Sequence, residues 1–195
     1  MGSVHALAAH ALRLNREAGA PPIPALFFFT DPERTPDPCA VARRLPRGAA
    51  IVYRHFGAPG RARTARRLAA IARSRGLTLL IAADPEMAER VGAGGVHWPE
   101  RMTPVRSGGL MTVSAHGAEG LERAGQAGAD ACFLAPVFAT RSASGRAPLG
   151  MFRASQLALS SRIPVIALGG ISNETAPRLA GRGFAGIAAV DALAA

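Results

Sequence analysis

The sequence predicts an α/β protein, a compact (β/α)8 TIM barrel with eight parallel strands. Eight short apolar runs recur along the 195 residues, and helical patterns separate them. No linker or low-complexity stretch interrupts the alternation. Alternating strands and helices imply a parallel sheet, whose strands, buried on both faces, read as unbroken apolar runs. An open doubly wound sheet is the runner-up. Its glycine-rich first turn is missing, because the segment after the first run is TDPERTPDP. A chain of 195 residues holds one sizeable core, so 1–195 is read as a single barrel domain with 1–24 as a helical N-terminal extension.

The elements follow in order. Residues 3–16 are Ala/Leu-rich and amphipathic, suited to covering the barrel bottom or its first seam. They lack a basic start and a long apolar core, so they are not read as a secretory signal. The first strand is ALFFFT (25–30), followed by a helix over 38–45. The second is AAIVYR (49–54), followed by a helix over 58–75 with Ala62, Ala65, Leu68, Ala69 and Ala72 on one stripe. LTLLIAA (77–83) leads to a helix over 85–91. GGVHW (94–98) and LMTVSA (110–115) are strands four and five. A helix over 117–127 follows, and Gly128 stops it. ACFLAPVF (131–138) precedes a helix over 151–160, and PVIALGG (164–170) a helix over 173–181. GIAAV (186–190) closes the set.

Charge narrows the function. All 23 basic residues are arginine, for a formal net charge of +10. With no lysine, the chain has no side-chain amine for a Schiff base. Arg61, Arg63, Arg66, Arg67, Arg73 and Arg75 crowd one helix, opposite its apolar stripe. No nucleic-acid motif accompanies them, so the face reads as solvated and no nucleic-acid partner is expected. No apolar run reaches membrane-spanning length, so no membrane partner is expected either. Cys39 and Cys132 lie far apart without metal spacing, which suits reduced thiols and a cytoplasmic protein.

In such barrels the ligand site lies at the carboxyl ends of the strands. Gly169 and Gly170 end strand seven, and Ile171 leads into a segment where Ser172 or Asn173 can cap a helix. Loops after strands seven and eight commonly hold phosphate, and glycine lets backbone N–H groups come close to it. Gly169, Gly170, Ile171 and, after strand eight, Val190 are therefore candidate phosphate-binding residues. The loop ATRSASGRAPLG (139–150) suits a flap. Thr140, Ser142 and Ser144 can donate to an anion there, and Arg141 or Arg146 can neutralise it. His97 and His116, at the ends of strands four and five, are either acid–base groups or mouth residues bonded to their surroundings. Asp31, Asp84 and Glu100 lack the tight spacing of a metal site, so no metal ligand is assigned.

Taken together, FFFTD, VYRH, ADPEMAERVGAGGVHW, SAHGAEGLERAGQAGAD, APVFATRSASGRAPLG, IPVIALGGIS and GIAAVDAL resemble the thiamine phosphate synthase family and its TenI-like thiazole tautomerase relatives. The resemblance covers residues 25–193. It implies a transferase of thiamine biosynthesis that joins an aminomethylpyrimidine diphosphate to a hydroxyethylthiazole phosphate, with Mg²⁺ assisting diphosphate departure. It also implies a phosphorylated thiazole- or pyrimidine-type ligand, and it is compatible with a homo-oligomer. Residue by residue, Thr140 and Ser142 match the family's Thr-x-Thr loop. Gly169 and Gly170 match its phosphate-binding Gly-Gly. Ser114 and His116 match its Ser-x-His, and Arg54 matches the arginine of its Gln-x-Arg-x-Lys. Arg54, Ser114 and His116 are thus the catalytic candidates.

The other half of the family pattern departs. Val52 and Phe56 stand where the family has glutamine and lysine, and Ala82 and Ala83 where it has Asn-Asp. Met102 stands for a metal-binding aspartate, Ala143 for a loop lysine, and Asp191 for a serine beside the phosphate. Pro136 stands where the tautomerases carry histidine. The resemblance therefore carries the thiazole-phosphate half of the site and leaves its Mg²⁺ ligands unmatched. The alternative readings are an isomerase acting on a phosphorylated substrate and a non-catalytic ligand-binding or regulatory relative.

Overall fold

The computed structural model describes residues 3–19, 23–140 and 145–194. Eight parallel strands pair in sequence order and close into a barrel. They are β1 (Leu26–Phe29), β2 (Ala50–Tyr53), β3 (Thr78–Ala82), β4 (Gly95–Trp98), β5 (Leu110–Ala115), β6 (Ala131–Leu134), β7 (Val165–Leu168) and β8 (Phe184–Ala189). Closure pairs Phe27 of β1 with Ala188 of β8. The predicted barrel is the observed one.

Strand alternation divides the apolar residues into two cores. Phe28, Ile51, Tyr53, Ile81, Cys132 and Leu134 face outward, into the layer between sheet and helices. Phe27, Phe29, Val52, Leu80, Phe133 and Ile166 face the barrel axis, with Ala50, Ala131 and Ala188 among them. The small residues make room for the aromatic ones. Phe133 meets Phe27 and Phe29 edge-on, with ring centroids 4.9 and 4.7 Å apart. The interior is a packed plug, and a cavity opens above it at the carboxyl end of the barrel.

The outer layer consists of α2 (Pro38–Ala42), α3 (Arg61–Arg75), α4 (Pro85–Val91), α5 (Ala118–Gln126), α6 (Met151–Ser160), α7 (Asp191–Ala194) and the leading α1 (Ser3–Glu17). The helix expected over 173–181 is a single 3-10 turn, Ala176–Leu179. Pro177 fits only a first turn, and Gly181 and Gly183, both at positive φ, end it. That short connection leaves the outside of β8 bare, and α1 covers it. Leu7, Ala11 and Leu14 form the buried stripe of α1. Asn15 donates to the Ala185 carbonyl of β8 (3.2 Å), and the Gly181 N–H donates to Glu17 (2.9 Å). Strand boundaries also shift, most at β6 and β8. The last strand starts at Phe184, ahead of the expected 186, and β6 stops at Leu134 ahead of Pro136, which has no N–H to give a ladder.

Phe133 is the hub of the inner core. Phe133→Ala is expected to cost about 3–5 kcal/mol of stability, checked as a fall in the urea midpoint at unchanged m-value.

Candidate functional site

A cavity of about 1080 Å³ opens at the carboxyl ends of the strands. Its floor is His97 on β4. The ring is 2% exposed and lies edge-on to Phe29 and Phe133, at 5.2 and 5.3 Å. Nδ1 pairs with Thr112 Oγ1 (3.0 Å) and Nε2 with Ser114 Oγ (3.1 Å). Thr112 lies opposite His97 in the β4–β5 register, and Ser114 points to the same face two residues on. Burial pushes the His97 pKa down to about 3, with the Arg54 charge adding to the effect. The imidazole is therefore neutral and works as a hydrogen-bond relay that orients Ser114.

Arg54 follows β2. Its Nε donates to the Thr30 carbonyl (2.9 Å), and its backbone N–H donates to Thr30 Oγ1 (2.9 Å). The guanidinium stacks 5.2 Å over Phe29 and lies 3.7 Å from Asp31. Burial lowers its pKa from the ordinary arginine value, with Asp31 opposing the shift. Arg34 pairs with both Asp31 (3.1 Å) and Asp191 (3.4 Å), tying the first loop to the end of β8. Burial pulls the Asp31 carboxyl up, but the Arg34 N–H and guanidinium outweigh it and hold the group below its usual range. Asp191 thus faces an arginine, which offsets its repulsion of an anion.

Across the mouth, His116 shares its Nδ1 hydrogen bond with a Glu100 oxygen, and Arg123 approaches the other oxygen at 3.3 Å. Gly120 on α5 makes room, since a Cβ there would sit 2.1 Å from Glu100 Oε1. Glu100 and His116 both line the cavity.

The glycine pair has a structural reason of its own. Gly169 and Gly170 hold φ of +93° and +65°. A Cβ on Gly169 would lie 2.7 Å from Pro136 Cα, and one on Gly170 2.3 Å from the Ala139 carbonyl. Val137 and Phe138 donate to the Leu168 and Gly169 carbonyls at 2.9 and 3.0 Å. The pair therefore brings the end of β7 against the 136–139 segment. Gly169, Gly170 and Ile171 line the cavity together with Thr140 and Val190. Ser172 Oγ accepts from the Glu174 and Thr175 N–H groups at 3.2 and 3.4 Å and so holds the turn before the 3-10 segment, whose own cap position is Thr175 rather than the expected Ser172 or Asn173. Arg141, Ser142, Ala143 and Ser144 lie outside the described residues.

Some strand-end residues serve elsewhere. Asp84 accepts from the Met87 N–H (2.9 Å) to cap α4 and pairs with Arg61 at 2.6 Å. Val52 belongs to the inner core. Sequence reasoning assigns no role to Arg34, Thr112 or Glu100. Thr112 was within reach, because it precedes Ser114 by two on an inward-facing strand side. Arg34 carried no signal, because its Asp191 partner is 157 positions away.

The model of a family described as thiamine monophosphate synthase matches residues 26–193. The chain belongs to that family. It is 34% identical over 185 residues to a thiamine-phosphate synthase of Chlorobium luteolum, covering 89% of this chain and 87% of that one. It is 31% identical over 185 residues to a thiamine-phosphate synthase of Synechococcus sp., covering 87% of this chain and 52% of that one. Among solved structures, a thiamine phosphate pyrophosphorylase from Pyrococcus furiosus shares the fold, with a TM-score of 0.76 at 24% identity over 87% of both chains. No helix among the described residues is long and apolar enough to cross a membrane.

Two outcomes test this geometry. His97 is neutral when folded and titrates near its ordinary 6.5 when unfolded, so below that pH the unfolded chain binds more protons. Stability should fall by up to about 1.4 kcal/mol per pH unit between 6.5 and 3. His55, also lowered by burial, adds with the same sign. His97→Gln should flatten the slope of unfolding free energy against pH without abolishing it. Separately, Gly170→Ala should cost upward of about 1 kcal/mol from the positive φ alone, read from its thermal midpoint.

Proposed function

We propose that the protein acts in thiamine biosynthesis by holding a phosphorylated thiazole, or thiamine phosphate, in the barrel mouth. The observation that carries this is the shared lining of one cavity by Gly169, Gly170, Ile171, Thr140, Val190, Arg54, Ser114 and His116. In the proposal, backbone N–H groups of 169–171 and the Thr140 hydroxyl take the phosphate. Ser114, oriented by neutral His97, donates to the ring end of the ligand. Arg54 supplies charge from a desolvated position, where it is worth more than in water. His116, backed by the Glu100 carboxylate, is the acid–base group. Two buried free thiols, Cys39 and Cys132, fit a cytoplasmic setting.

The family resemblance brings Mg²⁺ with it, and the residues present do not fit that ion. Mg²⁺ takes oxygen ligands, usually including one or two carboxylates. Ala82, Ala83 and Met102 offer no side-chain oxygen, and Asp84 is committed to Arg61 and a helix cap. This loss supports a second reading, a relative that binds the ligand without turning it over.

Isothermal titration with hydroxyethylthiazole phosphate and with thiamine phosphate tests the proposal. Saturable binding is expected, weakened at least about tenfold in Arg54→Ala, a change of about 1.4 kcal/mol. Absence of binding to both ligands overturns the proposal. Formation of thiamine phosphate from both substrates separates a transferase from the binding-only relative.

A further inference from the structure

Arg34 and Asp191 meet where the barrel closes, since β8 pairs with β7 on one side and with β1 on the other. Arg34 sits in the loop after β1, and Asp191 comes just after the end of β8. Both line the cavity, as do Gly169, Gly170, Ile171 and Val190. Arg34 is fixed by its own turn. Asp31 Oδ1 accepts from the Glu33 and Arg34 backbone N–H groups, both at 3.1 Å, and Thr35 Oγ1 donates to the Asp31 carbonyl at 2.7 Å. The other oxygen of the same carboxylate takes Arg34 Nη2 at 3.1 Å. The side chain is only 24% exposed. Its contact with Asp191 is the longer one, 3.4 Å from Nη1. A guanidinium has more N–H donors than these two contacts use, and among the described residues the Arg34 Nε–H has no partner.

We propose that Arg34 is a phosphate-binding residue of the mouth and that Asp191 is its internal competitor, a carboxylate that holds the guanidinium until a phosphate takes it. The inference rests on the phosphate-binding reading of the cavity and deepens it. Carboxylate and phosphate offer a guanidinium fork the same pair of acceptor oxygens, so one can replace the other. The turn wound on Asp31 keeps the arginine in place when Asp191 yields, which leaves little ordering to be done on binding. Asp191 lowers affinity in two ways, by occupying the fork and by repelling the ligand. It stands where the family has serine, so the competitor is a property of this chain. A ligand held against such a competitor leaves faster.

The test is calorimetric titration of the full chain with hydroxyethylthiazole phosphate and with inorganic phosphate. Arg34→Gln should weaken both about tenfold, the share of one charge-assisted hydrogen bond. Arg34→Lys should recover part of the loss. Asp191→Ser should tighten both by about threefold or more, because a negative charge leaves the site and the fork is released. The opposite signs separate a ligand-binding role from a structural one. If the pair only ties the first loop to the end of β8, breaking it from either side weakens binding alike. Weaker or unchanged binding in Asp191→Ser, or parent-like binding in Arg34→Gln, overturns the inference. Should Arg34→Gln fail to fold, the sign for Asp191→Ser decides alone, since that side chain is 44% exposed. If the parent binds the thiazole phosphate and the signs do not oppose, the inference falls and the proposed function stands. If inorganic phosphate shows both signs while neither hydroxyethylthiazole phosphate nor thiamine phosphate binds, the proposed function falls alone. Binding of none of the three removes both.

Discussion

Phe133 packs edge-on against Phe27 and Phe29, and the barrel is built around that contact. Three aromatic rings fill an interior whose other positions are held to alanine and aliphatic residues. Phe29 and Phe133 also pack edge-on with the His97 ring. One packing event therefore closes the barrel, dries its floor and sets the protonation state of the imidazole above it. Without the aromatic plug water would reach His97, its charged form would become affordable, and the fixed orientation of Ser114 would be lost. Fold stability and site chemistry here share the same atoms.

Above that floor, arginine does the electrostatic work that other proteins divide between lysine, metal ions and arginine. A guanidinium stacks on aromatic faces and forks between two acceptors, as Arg34 does between Asp31 and Asp191 and Arg54 between Phe29 and Thr30. The result is a mouth of interlocked ion pairs with few loose carboxylates. Such pairs add little stability at an exposed surface, and their value here lies in placing charge at fixed points around a cavity.

The barrel was legible because buried parallel strands leave unbroken apolar runs, and the turns between them carry glycine, proline or polar residues. The segment 173–181 misled because its apolar spacing suits a helix, while Pro177 and two positive-φ glycines limit it to one turn. Strand ends pointed to the mouth, so Arg54, Ser114, His116, Gly169 and Gly170 were found where they lie. Their partners were harder to see. His97, Thr112 and Ser114 meet through strand register, which a pattern of apolar runs locates only to within a residue or two. The Arg34–Asp191 pair spans the closure of the barrel, and sequence spacing carries no trace of such a contact.

The cover of β8 by α1 ties the helix that precedes the barrel to the barrel's last strand. During synthesis the stripe of Leu7, Ala11 and Leu14 lacks its main partner until Phe184 and the residues after it leave the ribosome. From α1 to β8 the growing barrel thus carries an open sheet edge and a greasy helix still missing its main partner, the state in which aggregation and chaperone capture compete with folding. Closure then depends on the contact most distant in sequence, which makes this barrel a slow folder by its connectivity.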